Sequence, residues 1–379
     1  MKVLVIGGTG TLSTAIVEEC VKRNYEVYVL NRGSHNERLP KNVKALISDI
    51  NNVKRTKEAI GELMFDVVID ILVFRINNLK KSIDIFSKNC KHYFFISTTG
   101  VYKRNGLEPI SENSERGRFE WNYNKGKAQC EDYLFENAEK LPFKFTIIRP
   151  AVTYGDRRIP YTIVNRKNQW DLVNRILNDK PIITTKNCEY SIVHVSDFSK
   201  AVVDMFCNNK AYSEAYHIGV NKTYKWDYVI SVIEKKYNKK ARIIHINPED
   251  IKKYLPDMYF EVKYNKSDEL ILNNNKLVDL IPDFVENTAL DKGVEKTLNV
   301  LECESKNVKS DEEWNNRVDV ILYNVRKSNK ISKEEEKYVD EYLSTKDLKN
   351  IQFNRNKFKL SYFKSKVIMI LKKIKHLFK

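Results

Sequence analysis

The opening of the chain limits the possible folds more than any other stretch. Residues 2–6 (Lys-Val-Leu-Val-Ile) are mostly β-branched and apolar, which predicts a buried parallel strand. A glycine turn from Gly7 to Gly10 follows, and apolar residues then recur at helical spacing from Thr14 to Lys22. Because a helix N-terminus offers free N–H groups, this strand–turn–helix unit predicts a pyrophosphate site, with a purely structural turn as the alternative.

Three small residues give the turn its predicted roles. Gly7 allows a tight turn, and Gly10 lets the backbone approach phosphates without a Cβ in the way. Ser13 stands where a third glycine is found in this motif, and its small side chain still permits the helix to pack on the strand.

Strand and helix patterns alternate through the first 150 residues. Helical patterns cover 53–63, 78–90 and 121–140, and the further strands are predicted at 26–30, 44–47, 65–72, 92–97 and 143–148. This alternation predicts an α/β fold with a doubly wound parallel sheet and right-handed crossovers. Ligands of such sheets bind at the carboxyl ends of the strands, so we expect the chemistry there.

Composition narrows the class of protein. The six cysteines form no CxxC pair, which predicts reduced thiols and neither a disulfide framework nor a metal site. No stretch approaches the ~20 apolar residues of a spanning helix. The formal net charge is +16, but basic residues alternate with Asp and Glu in the body of the chain. We therefore expect no nucleic-acid partner.

The C-terminal tail is where positive charge accumulates, because no acidic residue follows Asp347. Between residues 361 and 379, apolar residues from Phe363 to Phe378 recur at helical spacing, and the lysines fall largely outside that stripe. Two interpretations stay open: an interfacial helix on an anionic membrane, or a helix packed on its own domain or on a second subunit.

Three residues, Thr98, Tyr123 and Lys127, are candidates for one catalytic site. Thr98 comes directly after the fifth strand, and Tyr123 and Lys127 occupy positions i and i+4 of a predicted helix. Positions i and i+4 share one helix face, so both side chains are expected to converge on one pocket. A neighbouring ammonium favours phenolate and lowers the pKa of a tyrosine, which makes Tyr123 a candidate general acid–base.

Four motifs in order resemble the extended short-chain dehydrogenase/reductase family of NAD-dependent epimerases and dehydratases. They are Gly7-Gly-Thr-Gly10, Ile96-Ser-Thr-Thr-Gly-Val-Tyr102, Tyr123-x-x-x-Lys127 and Ile148-Arg-Pro-Ala-Val-Thr-Tyr-Gly155, and the match extends to about residue 302. The resemblance implies a Rossmann fold and a nucleotide-sugar substrate. It also implies catalysis by Thr98, Tyr123 and Lys127, with Thr98 binding the reacting oxygen.

The same resemblance implies the residues around the cofactor, which would be NAD or NADP. They are Gly7, Thr9, Gly10, Thr11, Leu12, Asn31, Arg32, Asp49 (at the adenine) and Lys127 (at the nicotinamide ribose). The second strand ends in Asn31-Arg32 without an acidic residue for the adenosine ribose. Arg32 is instead suited to a 2′-phosphate, which favours NADP.

Departures from the family pattern shape the predicted reaction. Thr99 and Gly100 occupy positions where sugar 4,6-dehydratases carry Asp-Glu, so we favour epimerisation or simple reduction over loss of water. Tyr190 stands where many relatives have an arginine for the substrate diphosphate, which leaves a non-sugar substrate open. Asp70, at the end of the fourth strand, is either a helix cap or a pocket residue, and we favour the cap.

The sequence thus predicts three parts. They are an NAD(P)-binding Rossmann domain (1–160), a smaller substrate-binding region interleaved with its sheet (161–304), and an appended helical extension with a basic amphipathic tail (305–379). The predicted function is that of a cytoplasmic nucleotide-sugar epimerase/dehydratase, with membrane contact through 361–379 and a homodimer left open. The alternatives are an NADP-dependent reductase of a small carbonyl compound and an inactive Rossmann-fold protein that binds RNA or a partner.

Overall fold

A computed structural model describes residues 1–104, 106–117, 119–284 and 287–377 of the chain. The side chains of residues 370–377 lie outside this description, as do Phe378 and Lys379 of the predicted tail.

Twelve strands and fourteen α-helices are present in the described ranges. The strands are β1 (Lys2–Ile6), β2 (Glu26–Asn31), β3 (Lys44–Ile47), β4 (Phe65–Asp70), β5 (Cys90–Ile96), β6 (Lys144–Pro150), β7 (Val152–Tyr154), β8 (Ile182–Thr184), β9 (Glu189–His194), β10 (Glu214–Ile218), β11 (Thr223–Lys225) and β12 (Ile243–His245). The helices are α1 (Thr11–Lys22), α2 (Val53–Ile60), α3 (Ile76–Phe86), α4 (Asn122–Glu136), α5 (Trp170–Leu177), α6 (Val195–Asp204), α7 (Trp226–Tyr237), α8 (Pro248–Ile251), α9 (Pro256–Asn265), α10 (Asn275–Leu280), α11 (Leu290–Ser305), α12 (Glu312–Lys327), α13 (Lys333–Ser344) and α14 (Leu348–Leu377).

The main sheet has seven parallel strands in the order β10-β6-β5-β4-β1-β2-β3. Its central strands are buried on both faces, which explains their near-continuous apolar sequences. The order reverses between β1 and β4, so the carboxyl ends of these two strands flank the crevice in which such sheets bind ligands. The predicted doubly wound parallel sheet is confirmed.

Two small sheets complete the strand structure. One has the order β11-β9-β7, with β7 and β9 parallel, and the other pairs β12 with β8 in parallel. The predicted smaller mixed region and the predicted C-terminal helices are therefore both present.

Alternating segments of the chain build two compact units. The first contains Met1–Pro160, Glu189–Tyr224 and Glu269–Gly293, and the second contains Tyr161–Cys188, Lys225–Asp268 and Val294–Lys379. The C-terminal helices belong to the second unit because their apolar side chains share its core. That core joins Ile183 and Ile244 of the small parallel sheet to Ile321, Val339 and Phe358 of the last three helices.

Asp70 does not cap a helix, so that prediction is wrong. Helix α3 begins at Ile76, and the Asp70 carboxylate is fully buried before it. The carboxylate accepts hydrogen bonds from the Leu72 N–H (3.0 Å), the Ser82 hydroxyl (2.7 Å) and the Tyr93 hydroxyl (2.9 Å). Burial raises its pKa, while these three donors oppose the rise.

The predicted tail lies in α14, a single helix from Leu348 to Leu377. Among the helices that the structure describes, none is both long enough and apolar enough to span a membrane.

Candidate active site

The turn after β1 adopts a conformation that requires glycine. Gly7 has φ +110° and Gly8 has φ +70°, which side-chain-bearing residues rarely adopt. A Cβ on Gly8 would also lie 2.2 Å from Cγ1 of Val29 on β2. The turn can therefore pass close over the sheet only because these positions lack side chains.

Gly10 differs, because the protein itself does not demand a glycine there. Its φ is −91°, and an added Cβ would meet only the Ser13 hydroxyl oxygen, at 3.4 Å. That hydroxyl accepts from the Gly10 N–H (2.8 Å) and donates to the Gly10 carbonyl (3.1 Å), which fixes the start of α1. Open space over Gly10, beside the free N–H groups of the first helical turn, fits the close approach of a pyrophosphate.

A cleft of about 480 Å³ opens over this turn. Six of the predicted cofactor residues line it, namely Gly7, Thr9, Gly10, Asn31, Arg32 and Asp49. Thr11 and Leu12 occupy the first two positions of α1, next to Gly10. Sequence reasoning missed further lining residues, namely Ser34, His35, Ser48, Asn51, Leu72, Phe74 and Asn78. Several of these follow the carboxyl ends of β2, β3 and β4, which is the signal that could have identified them.

Polar residues at one end of the cleft are already engaged with each other. The Asn31 side chain accepts from the Gly33 N–H (2.7 Å) and donates to Asn36 (2.7 Å), so it shapes the loop after β2. The Asp49 carboxylate accepts from the backbone and side-chain amides of Asn51 at 2.9 and 3.0 Å, which lowers its pKa. Arg32 is exposed and lowers that pKa further through its charge.

Lys127 is buried, with 1% of its surface exposed, and joins the ends of two sheet strands. Its ammonium donates to the carbonyl of Ile96 at the end of β5 (2.5 Å) and to that of Val73 after β4 (2.6 Å). These bonds use two of its three N–H donors. Burial lowers the Lys127 pKa to about 8, and the charge of Asp70 opposes this fall.

Tyr123 lies at the start of α4, beside both the lysine and the cleft. Its ring centroid lies 5.9 Å from the Lys127 Nζ and 5.9 Å from the ring of Phe74, which lines the cleft. Trp121 also packs against this ring, with the two ring centroids 4.8 Å apart. The phenol of Tyr123 is therefore held between a buried amine and apolar ring surfaces.

Thr98 begins the short turn that follows β5, and this turn packs against α4. The Thr98 hydroxyl oxygen accepts from the Gly100 N–H at 3.0 Å. Since that bond uses a lone pair, the hydroxyl proton remains available for donation to a ligand.

Gly126 explains how α4 comes so close to the cleft. A Cβ at this position would lie 2.2 Å from the carbonyl oxygen of Phe74. The helix therefore packs directly on the loop after β4, which brings Tyr123 and Lys127 beside Phe74. Sequence reasoning passed over this glycine because its role depends on a contact between distant segments.

We expect Gly126→Ala to destabilise the protein although alanine favours helix formation by about 1 kcal/mol. The added methyl group forces α4 away from the loop after β4, at a cost of roughly 1–3 kcal/mol for overpacking. Urea unfolding and NAD binding report the two consequences. Lys125→Ala, on the exposed side of the same helix, is the control. A Gly126→Ala protein as stable as the wild type would contradict this role.

A buried ionic network lies behind Thr98. The Glu131 carboxylate on α4 accepts from the Ser97 hydroxyl (2.5 Å) and from two nitrogens of Arg149 on β6 (3.1 and 2.7 Å). Arg149 also donates to the Tyr102 hydroxyl (2.9 Å). The network ties α4 to the ends of β5 and β6, and so fixes the elements that carry the candidate catalytic side chains.

In the described part of the chain, no group of three or more His, Cys, Asp or Glu side chains is arranged to hold a metal ion. Of the six free cysteines, Cys207 and Cys303 are exposed and the others are buried.

Fold and cleft define a Rossmann-type dinucleotide-binding protein. The sequence profile of the NAD dependent epimerase/dehydratase family matches residues 3–219, which is more than half of the chain. The chain belongs to this family. The predicted family and the predicted class of cofactor, a nicotinamide dinucleotide, are thereby confirmed. No curated protein sequence matches the chain.

Solved structures with the same fold are distant in sequence. UDP-glucose 4-epimerase of Thermus thermophilus, in complex with NAD, is 19% identical, with 80% of this chain and 99% of that chain covered and a TM-score of 0.65. UDP-glucose 4-epimerase of Thermotoga maritima, with UDP-glucose, is 18% identical, with coverage of 82% and 100% and a TM-score of 0.65. dTDP-glucose 4,6-dehydratase of Bacillus anthracis, with NAD, is 16% identical, with coverage of 81% and 98% and a TM-score of 0.66.

Proposed function

We propose that this family member is an epimerase that acts on a nucleotide-activated sugar with a bound nicotinamide dinucleotide. One observation carries the proposal: the buried Lys127 ammonium, fixed between β5 and the loop after β4, lies beside the Tyr123 ring, and both contact Phe74, which lines the cleft over the glycine turn. A buried lysine with a lowered pKa next to a tyrosine is costly for stability, and such perturbed pairs are concentrated at functional sites. The solved relatives named above suggest UDP- and dTDP-sugars as substrates.

The proposed roles follow from the chemistry of each side chain. Tyr123 takes the proton of a sugar hydroxyl on its phenol oxygen and later returns it. Lys127 stabilises the phenolate through its charge, and its third N–H is suited to a ribose hydroxyl. The Thr98 hydroxyl donates a hydrogen bond to the reacting oxygen. A bound nicotinamide dinucleotide would supply hydride transfer, and the turn from Gly7 to Gly10 would hold its pyrophosphate.

Epimerisation is favoured over loss of water because the positions after Thr98 hold no acid. Thr99 is buried, and its hydroxyl donates to the carbonyl of Pro150 at 3.0 Å, so its side chain is committed to the protein. Gly100 has no side chain. An elimination needs a group that protonates the leaving oxygen, and neither position provides one.

The test is to incubate the purified full chain, with NAD and separately with NADP, with a panel of UDP- and dTDP-sugars. An epimerase converts one of them to its epimer with no net change in nicotinamide absorbance. Reduction of one NAD per product would overturn the proposal in favour of a dehydrogenase. Oxidation of one NADPH per product, with a small carbonyl compound supplied in place of the sugar, would overturn it in favour of a reductase. Salt-dependent binding of RNA without binding of any sugar nucleotide would overturn it in favour of a non-catalytic protein.

The choice of cofactor is tested at Arg32. We infer a preference for NADP because this exposed guanidinium lines the cleft at the end of β2, where a 2′-phosphate would lie. Loss of a charge-assisted hydrogen bond in Arg32→Ala should weaken NADP binding by about tenfold or more and leave NAD binding nearly unchanged. Arg38→Ala, an exposed arginine of the same loop, is the control. Equal effects on both cofactors would contradict the assignment.

A further inference from the structure

Helix α14 changes its surroundings along its length. In its first part Ile351, Asn354 and Phe358 are buried, and this face packs on α12. The guanidinium of Arg317 lies 4.4 Å above the Phe358 ring. From Leu360 to residue 369 the side chains are exposed or half-buried. The described helix thus continues beyond the part that packs on α12, and its later side chains are not buried there.

An apolar stripe runs along this exposed part. Leu360, Phe363 and Val367 recur at spacings of three and four, and they are 55%, 65% and 38% exposed. At about 100° per residue, the stripe lies roughly 180° around the helix from the buried Ile351 and Phe358. The stripe is therefore not a continuation of the face that packs on α12, and that contact does not cover it.

Cations line both edges of the stripe. On the same helical geometry, Lys357 and Lys364 fall on one side of it and Lys359 and Lys366 on the other. The sequence contains no acidic residue after Asp347 that could neutralise them. Exposed apolar patches with a polar rim are typical of surfaces that bind another protein or a membrane.

Lys359, at one edge of the stripe, lies close to other positive charges. Burial lowers the Lys359 pKa, and the neighbouring positive charges of Arg355 and Lys253 lower it further. Such mutual repulsion is relieved when anions approach. The segment therefore combines exposed apolar side chains with a demand for negative charge.

We propose that the segment 355–369 of α14 docks on an anionic lipid surface, with Leu360, Phe363 and Val367 immersed and the flanking lysines at the headgroups. A nucleic acid would engage the lysines but leave the apolar stripe in water. A second copy of α14 would cover the stripe but would bring two rows of lysines together without an acidic partner. A lipid surface satisfies both features. This inference does not rest on the proposed sugar chemistry.

The experiment is co-sedimentation of the full chain with phosphatidylcholine vesicles, with and without phosphatidylglycerol. We expect binding only to the anionic vesicles. Phe363→Glu should reduce vesicle binding at least about tenfold. The substitution replaces a ring that would be buried in the lipid by a negative charge that the anionic surface repels. The double variant Lys364→Glu/Lys366→Glu should reduce binding about as strongly, and raised salt should weaken binding of the wild type.

Controls separate lipid docking from general effects. Leu107→Glu introduces the same charge at a leucine that is also 65% exposed, but in the first unit, and should bind vesicles like the wild type. Retained thermal unfolding and cofactor binding show that the variants are folded. Three results would overturn the proposal: no sedimentation with anionic vesicles, sedimentation unchanged by Phe363→Glu, or a dimer that Phe363→Glu dissociates without any lipid binding. A protein that binds anionic vesicles but converts no sugar nucleotide would contradict only the proposed enzymatic function, not the lipid docking.

Discussion

Replacing Tyr123 with phenylalanine should abolish most turnover of the sugar nucleotide and leave cofactor binding nearly intact. The change removes one oxygen, while the ring contacts with Phe74 and Trp121 remain possible. General acid–base catalysis contributes roughly 10²–10⁴-fold, so a loss of that size is expected in kcat. The measurement is the initial rate of epimer formation at saturating substrate, with NAD binding followed separately.

Tyr133→Phe is the matched control, because it makes the same chemical change further along α4, away from the cleft. It should retain wild-type turnover. If Tyr123→Phe also retains turnover, the assignment of the general acid–base is wrong. A loss confined to KM would indicate that Tyr123 only binds substrate.

The pH dependence of the wild-type rate is a second readout of the same pair. The Lys127 pKa lies near 8 because burial disfavours the charged form. Above that pH the amine loses its proton, and with it the charge that stabilises the phenolate. The rate of the wild type should therefore fall as pH rises through about 8. Lys127→Met should lower the rate at every pH and remove this step.

Stability has the opposite pH dependence. The folded-state pKa of Lys127 lies below its ordinary value of 10.5, so folding the charged form carries a cost at neutral pH. That cost disappears as pH rises from about 8 to 10.5, so Lys127 contributes a rise in stability over this window. Lys127→Met should lose that rise, which distinguishes the buried amine from surface lysines.

The strands of the main sheet could be predicted from the sequence because each one depends on a pattern of neighbouring residues. Each of the first six predicted strands is a short apolar run bounded by turn residues, and all six occur within a few residues of the predicted ends. The resemblance to the epimerase/dehydratase family implied Gly10, Arg32 and Asp49 as cofactor residues, and all three line one cleft. Helix α1 begins earlier than predicted, at Thr11, because the Ser13 hydroxyl caps its first turn.

Features that depend on distant segments were not accessible in the same way. Nothing around Gly126 in the sequence indicates that it meets the carbonyl of Phe74. The core shared by Ile183, Ile244 and Ile321 joins segments far apart in the chain, so no local pattern assigns residues 305–379 to it. The helical spacing of the apolar residues in the tail could be predicted from the sequence. That they lie opposite the face of α14 that packs on α12 could be seen only in the structure.

Replacing Glu131 with alanine should cost the protein several kcal/mol of stability. Its carboxylate has no exposed surface, and Arg149 is 3% exposed, so water cannot replace the pairing. Glu131→Ala leaves the buried guanidinium with the Tyr102 hydroxyl and the carbonyl of Glu112. Breaking one side of a buried ion pair costs roughly 3–5 kcal/mol, because the remaining charge is left without compensation.

Asp132→Ala tests the same helix at its surface. Asp132 pairs with Arg116, which also reaches Glu131, but the Asp132 side chain is 44% exposed. An exposed pair contributes about 1 kcal/mol or less, so urea unfolding should separate the two variants clearly. A Glu131→Ala protein within about 1 kcal/mol of the wild type would show that the network is not a structural requirement.

The double variant Glu131→Leu/Arg149→Met separates charge from packing. Replacement of both partners by apolar side chains removes the uncompensated charge, and such replacements in buried ion pairs are often neutral or stabilising. We therefore expect the double variant to be more stable than Glu131→Ala. Ser97, which donates to Glu131, immediately precedes Thr98, so the double variant should still bind the cofactor but lose turnover. Recovered stability without recovered activity would assign the network to the positioning of Thr98.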